Sequence, residues 1–232
     1  YAKGRRSPVV NADASGVTVT KAEIVDSYDV GVKYQSANFT FTGAVFTYQY
    51  SDYQQSYTDA ETLQSITVTV GDSTMSGIEG MATYQYSDTL SFTTSLGFLD
   101  AEFADETAEG TPFEYGGNKF RLAPEVSGAI NINKLVEMDN WLLDFNWLTS
   151  FQSKVYFESS NYPGLWQDTY SLTDVSMKVS KDNSPFAFEL YVDNLLDKEY
   201  LIDAGNTGGG LGIPTFVRGM PRIAGVRLYY DF

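Results

Sequence analysis

From Trp141 to Phe157 the chain alternates between two kinds of side chain. One set is Trp141, Leu143, Phe145, Trp147, Thr149, Phe151, Ser153, Val155 and Phe157, of which seven in nine are large and apolar. Between them stand Leu142, Asp144, Asn146, Leu148, Ser150, Gln152, Lys154 and Tyr156, most of them polar. A period of two is the signature of a β-strand with chemically different faces. Strands of soluble proteins usually run about 5–6 residues. At roughly 3.3 Å per residue this stretch predicts a strand of about 56 Å, long enough to cross a bilayer core of about 30 Å even when tilted. A long twisted hairpin of a soluble β-protein would alternate as well, so the distinction rests on the rest of the chain.

The connections make that distinction. Strand patterns are predicted at 1–7, 24–35, 38–53, 73–86, 89–103, 120–133, 140–157, 168–181, 184–192 and 214–232. Short connections (35–38, 86–89, 134–140, 180–184) alternate without exception with long polar ones (8–23, 54–72, 104–119, 158–167, 193–213). A sandwich has no physical reason to sort its loops in this way. A transmembrane antiparallel β-barrel does, because its periplasmic turns are short and its extracellular loops long. The expected fold is therefore all-β, a portion of such a barrel with about ten long strands.

The faces agree with this. Phe186, Phe188, Leu190 and Val192 alternate with Ala187, Glu189 and Tyr191; Leu90, Phe92, Leu96 and Phe98 alternate with Ser91, Thr93, Ser95 and Gly97. In Leu122–Ile132 the outward set is Leu122, Pro124, Val126, Gly128, Ile130 and Ile132, which turns Glu125 inward. Charge kept off the lipid face avoids a penalty of about 2–4 kcal/mol for Arg or Lys at mid-depth. The register of 38–53 stays open, since both of its faces carry Phe or Tyr.

Composition narrows function. The 232 residues hold 17 Tyr, 15 Phe and 3 Trp, and their net charge is −15. This balance excludes a nucleic-acid partner, which needs clustered Lys and Arg. The chain has no Cys and no His. Ser-His and Cys-His nucleophile pairs and His- or Cys-ligated zinc are thereby excluded. Carboxylates alone remain, at inward Glu79, Glu125, Asp144 and Glu189, and nothing in the sequence brings two together. No catalytic residue, metal ligand or cofactor site is assigned. The loop 100–117 carries six acids, Asp100, Glu102, Asp105, Glu106, Glu109 and Glu114, with no calcium-loop spacing, and reads as a solvated loop. The Gly-rich 205–214 lacks the helix that phosphate binding requires and reads as a flexible surface loop. The chain starts at Tyr1 rather than Met, and is expected to be a fragment or a trimmed mature chain.

Two stretches carry a family likeness. "VDNLLDKEY" (192–200) is followed by "GMPRIAGVRLYYDF" (219–232). This pair resembles the C-terminal signature of TonB-dependent outer-membrane receptors at Asn194, Leu195, Leu196, Asp197 and Tyr200, then Gly219, Pro221, Arg222 and Phe232. The hairpin phrases 27–34, 43–54, 76–103 and 122–132 resemble successive hairpins of the same receptors, in the same order. The residues themselves read as structural: Asn194 and Asp197 form turns, and Pro221 suits a strand entrance.

The resemblance implies a 22-stranded barrel with a plug domain ahead of it, which imports a scarce nutrient when an inner-membrane motor acts on the plug. At about 23 residues per strand, twenty-two strands need about 510 residues. The chain is therefore expected to supply the last ten strands, without the plug. The implied partners are outer-membrane lipid, the plug and N-terminal strands, the TonB energy-coupling complex through the plug, the barrel-assembly machinery, and an extracellular small molecule. That ligand is a ferric siderophore, cobalamin or an oligosaccharide. Loop aromatics Tyr53, Tyr57, Phe113, Tyr115, Tyr162 and Trp166 are the candidate contacts, because aromatics enrich binding surfaces. Tyr230 and Phe232 are candidates for an assembly signal. The competing expectation is a small self-closing ten-strand barrel acting as an adhesin, a structural protein or a carboxylate-based protease.

Overall fold

The computed structural model describes residues 1–13, 16–58, 64–104, 114–208 and 213–231. In chain order the strands are β1 (Ala2–Arg6), β2 (Val10–Asp13), β3 (Gly16–Val19), β4 (Glu23–Gln35), β5 (Phe39–Thr58), β6 (Ser65–Ser87), β7 (Leu90–Phe103) and β8 (Val126–Met138). There follow β9 (Trp141–Gln152), β10 (Val155–Tyr156), β11 (Trp166–Gln167), β12 (Tyr170–Lys181), β13 (Phe186–Asp193), β14 (Leu201–Gly208), β15 (Ile213–Arg218) and β16 (Ile223–Tyr230). Ten of them form one antiparallel sheet in the order β1-β4-β5-β6-β7-β8-β9-β12-β13-β16. The small hairpins β2–β3, β10–β11 and β14–β15 all lie in long connections. Among the described residues β1 and β16 are the sheet's two edges and do not pair with each other, contrary to a ten-strand barrel closing on itself.

At the short-connection end the turns are tight. Met138 pairs with Trp141 across Asp139 and Asn140. Asp139 and Asn183 take positive φ there, a conformation Asp and Asn tolerate because their short polar side chains bond locally.

Antiparallel partners share a face, so register assigns every side chain. One row runs Phe39, Tyr84, Phe92, Ile132, Trp147, Val175, Val192 and Ala224. Another runs Val30, Val45, Ile78, Phe98 and Val126. Both lie on the outward face, where large apolar side chains are exposed. This settles the open register of β5, with Phe39, Phe41 and Val45 outward and Phe46, Tyr48 and Tyr50 inward. The inward face carries polar rows such as Asn133, Asn146, Ser176 and Tyr191.

Several predicted boundaries move. The stripe from Trp141 does not reach Phe157 as one strand, because β9 stops at Gln152. Val126 N–H donates to Ser153 Oγ, Ser153 N–H donates back to the Val126 carbonyl, and the chain leaves the sheet. Val155 and Phe157 are buried with Leu165 and Ala204 instead of facing lipid. The shorter stripe fits the membrane better. Ten steps from Trp141 to Phe151 at ~3.3 Å, tilted by about 40°, rise about 25 Å, the height of a barrel's apolar band.

The strand predicted at 120–133 starts at Val126 and runs to Met138, absorbing most of the predicted 134–140 turn. Leu122 and Pro124 are therefore not strand residues. The predicted loop 54–72 is largely strand, since β5 and β6 continue to Thr58 and from Ser65. The predicted strand 214–232 is two strands, β15 and β16. The Gly-rich 205–214 belongs in part to β14 and β15, with 209–212 outside the described residues.

Candidate functional site

At the long-loop end the inward rows become aromatic. Tyr50, Ser73 and Phe103 share one row. Beyond it, a bulge at Tyr50/Tyr53, with Asp52 at positive φ, shifts the alternation of β5. Tyr53 then lies 5.6 Å from the Phe103 ring, 5.5 Å from Phe120 and 5.6 Å from Tyr50. Phe103 meets Phe120 edge-on at 4.5 Å and Tyr115 at 5.4 Å, and is only 1% exposed. Burial first, and the Glu158 carboxylate second, raise the Tyr115 hydroxyl above its ordinary value. Tyr53 and Tyr115 thus share one packed aromatic cluster. Its centre, Phe103 and Phe120, carries no sequence signal of its own, since Phe103 ends one predicted strand and Phe120 begins another.

The first long connection is tied to the extended β5–β6 hairpin. Gln54 Nε2 donates to the carbonyls of Ser7 and Lys21, gripping both ends of the β2–β3 extension. The Asn11 carboxamide pairs with both backbone groups of Thr67.

Tyr162 and Trp166 lie apart from the aromatic cluster, in the connection between β10 and β12. Trp166 pairs with Tyr156 across the β10–β11 hairpin, and the Lys154 ammonium stands 4.1 Å from the Trp166 ring and 4.4 Å from that of Tyr156. Tyr162 is 64% exposed. With Pro163, Leu165, Glu158, Pro214 and Phe216 it lines a cavity of about 430 Å³. The structure therefore brings Tyr53 and Tyr115 together, whereas Tyr162 lines the cavity and Trp166 packs with Tyr156 and Lys154. The Tyr57 side chain and Phe113 lie outside the described residues.

The acidic stretch 100–117 resolves in part. Lys119 Nζ sits 2.8 Å from Asp100, 3.2 Å from Glu102 and 3.3 Å from Glu125. Asp100 and Glu102 continue the outward row of Phe98, so Glu125 joins outward-row carboxylates instead of turning inward as the sequence predicted. The alternation that predicted otherwise begins only at Val126. Glu114 is exposed, and Asp105, Glu106 and Glu109 lie outside the described residues. Among the described residues no three Asp or Glu side chains form a group able to hold a metal ion.

The other carboxylates do not pair either. Asp144, Lys178, Glu189 and Arg227 form one cross-strand row, with a lysine between the acids. Asp144 accepts from Asn133 Nδ2 at 2.6 Å, and Glu189 accepts from Arg227 and the Tyr229 hydroxyl. Glu79 faces inward among Gly31, Ala44, Gly97 and Ser127.

The signature residues build a knot between β13 and β16. Asn194, only 4% exposed and at positive φ, donates from Nδ2 to the carbonyls of Lys198 and Met220. Its Oδ1 accepts from Lys198 N–H. Leu195 N–H reaches the Thr173 carbonyl. Asp197 accepts from Arg222 N–H at 3.0 Å, and an Arg222 guanidinium nitrogen lies 3.4 Å from the Leu195 carbonyl. Leu196 and Pro221 are exposed. Tyr200 stacks on Tyr170 at 4.8 Å and accepts Gly219 N–H at its carbonyl. Tyr230 packs on Phe186 at 5.0 Å, and Phe232 lies outside the described residues.

Comparison with known proteins agrees with this geometry. A family model described as "TonB dependent receptor-like, beta-barrel" matches residues 1–195. A pesticin receptor of Yersinia pestis is 23% identical over 193 residues, which cover 83% of this chain and 27% of the relative. The ferric yersiniabactin uptake receptor from Yersinia pestis superposes with a TM-score of 0.83 at 22% identity, covering 100% of this chain and 34% of that one. The ferric preacinetobactin receptor from Acinetobacter baumannii superposes with a TM-score of 0.72 at 18% identity, covering 95% of this chain and 31% of that one. The chain thus spans about a quarter of the length of the curated relatives it matches. The structural likenesses establish the fold.

Proposed function

The chain belongs to the TonB-dependent receptors, and from this premise we propose that it supplies ten strands of an outer-membrane receptor that captures and imports a ferric siderophore. The observation that carries the reading is the division of the sheet. Strands β4 to β9, β12, β13 and β16 turn a mainly apolar row outward and a more polar row inward, and the inward face ends in an aromatic mouth on the long-loop side. The outward rows suit residence in the bacterial outer membrane, where a strand bearing them is solvated by hydrocarbon.

Iron chelates are favoured over cobalamin and oligosaccharides because the two solved structures compared above are of receptors named for ferric yersiniabactin and ferric preacinetobactin. The mouth suits capture, since its aromatics are held by packing and its loops by hydrogen bonds, which lowers the ordering cost of binding. In this reading the plug and further strands belong to the whole receptor, and the chain assembles with them. An inner-membrane complex acting on the plug drives release, and no residue of this chain performs catalysis. The last strand, with outward Val226, Leu228 and Tyr230, serves recognition by the barrel-assembly machinery.

The test is uptake of iron-labelled siderophores by cells carrying the whole receptor as their sole siderophore receptor. Uptake is expected, and it should stop when the inner-membrane proton gradient is collapsed. Uptake that survives the collapse would refute energised transport, and failure to bind any ferric siderophore would refute the ligand class.

A further inference from the structure

We infer that the outward face spanning β8, β9, β12, β13 and β16 binds an anionic glycerophospholipid of the periplasmic leaflet. Lys134 and Lys181 take its phosphate, and a groove beside them takes an acyl chain. The site rests on the outer-membrane reading above and goes beyond it, because it selects one class of lipid at one place.

The outward rows of these five strands are apolar with two charged exceptions, and both exceptions are basic. Met138, Trp141 and Lys181 share one row, Val136, Leu143 and Val179 the next, and Lys134, Phe145, Met177, Leu190 and Val226 the third. Both cations lie at the short-connection end. Lys181 is the last residue of β12, and its Nζ stands 5.4 Å from the ring of Trp141. Lys134 Nζ donates to Thr89 Oγ1 at 2.8 Å, which fixes the ammonium at the level of the short 86–89 connection. Short connections of such barrels are periplasmic. A lysine facing hydrocarbon is costly at mid-depth but tolerated at the interface, where Trp is also favoured. Among the described residues neither ammonium has a carboxylate within ion-pair distance. Lipid phosphate is the anion found at this depth.

The groove begins where the lysines end. Phe145 is the cross-strand partner of Lys134, and it also lines a groove of about 600 Å³. Phe145, Met177, Leu190 and Val226 form one side, and the shorter Val192 and Ala224 form the other. The row of Lys134 starts at Leu90, the first residue of β7, and climbs across the sheet to Val226, near the long-connection end of β16. The groove therefore leads from the headgroup level into the apolar band, as an acyl chain does. Charge and groove hold two ends of one molecule, which distinguishes this lipid from its neighbours in the bilayer. A chain of net charge −15 repels anionic lipid on average, so a preference for it must come from local cations.

The test offers the whole receptor, in a nonionic detergent, phosphatidylglycerol and phosphatidylcholine with the same acyl chains. Retained lipid is counted by native mass spectrometry, and heat-modifiable mobility verifies that each variant is folded. The wild type should retain phosphatidylglycerol about tenfold over phosphatidylcholine. Lys134→Gln with Lys181→Gln should abolish that preference, whereas Lys3→Gln, on β1, should keep it. If the double variant does not assemble, the single variants decide, each with about a threefold loss of preference. Ala224→Trp, which fills the groove, should lower retention of both lipids and leave their ratio unchanged. Equal retention of the two lipids by the wild type, a preference that the lysine variants leave intact, or retention unmoved by Ala224→Trp overturns the site. Lysine-dependent retention of lipopolysaccharide in place of phosphatidylglycerol overturns it as well. Each of these results leaves the uptake reading standing, whereas absence of the receptor from the outer-membrane fraction removes that reading and the site with it.

Discussion

The ring of Tyr200 occupies the space that a side chain on Gly219 would need: a Cβ there would stand 2.1 Å from Tyr200 Cζ. The two residues belong to segments that leave β13 and enter β16, and Gly219 N–H bonds the Tyr200 carbonyl. Gly219→Ala should therefore force the ring off Tyr170 and destabilise the receptor by about 1–3 kcal/mol. Adding Tyr200→Ala should recover part of the loss. The measurement is thermal unfolding of both single variants and the double variant; strictly additive losses would mean the two residues do not share that space.

Asn194→Ala should cost more than a surface change. It removes three side-chain hydrogen bonds from a buried residue and places Ala at positive φ. A loss of about 2–4 kcal/mol is expected, with lower outer-membrane abundance. Asn194→Asp should be milder, because it keeps the acceptor for Lys198 N–H. Equal losses in the two variants would show that the acceptor for Lys198 N–H contributes nothing and that the two Nδ2 donors alone hold the knot.

The outward and inward faces predict opposite tolerance at neighbouring positions. Ile130 lies outward in the middle of the apolar band, and Asn131 lies inward against Asn146. Ile130→Lys should cost about 2–4 kcal/mol and reduce insertion. Asn131→Lys should insert nearly normally. Heat-modifiable mobility of the two variants decides it, and equal insertion would reverse the assignment of faces.

Lys119 gives a pH signature. Its hydrogen bond to Asp100, with those to Glu102 and Glu125, holds the ammonium above its ordinary value of 10.5. A raised value in the folded state means that its contribution is fully present below 10.5 and is lost as pH climbs through the folded value. The stability difference between wild type and Lys119→Met should stay flat from neutral pH to about 10 and shrink above that. A difference already fading at pH 8 would contradict the assignment.

Deleting Phe232 tests the assembly proposal. Outer-membrane abundance should fall, while receptors that do assemble keep near-normal ligand affinity. Unchanged abundance with lost affinity would place the last residue in the binding machinery.

The period-two pattern and the sorting of short and long connections were enough to determine the fold class, because faces and loop lengths are local properties of the chain. Trp147, Phe188 and Leu228 declare their outward face from spacing alone. The signature segments 192–200 and 219–232 were legible as a family mark, but not as the knot that Asn194, Asp197 and Arg222 tie. That knot joins backbone groups about twenty-five residues apart, and nothing in local pattern encodes which carbonyl meets which amide. The same limit explains the misplaced ends of β5, β6, β8 and β9. A strand stops where its neighbour stops offering hydrogen bonds, so Gln152 ends β9 because of Val126 and Ser153, not because of its own neighbours in sequence. The candidate site shows the division most clearly. Sequence supplied aromatic residues in long loops, whereas tertiary packing buried Phe103 and Phe120 and left Tyr162 and Phe216 beside Glu158. Alternation is a property of one strand, but a cavity exists only where separate segments meet, and their meeting is decided by long-range contacts that no single stretch of sequence contains.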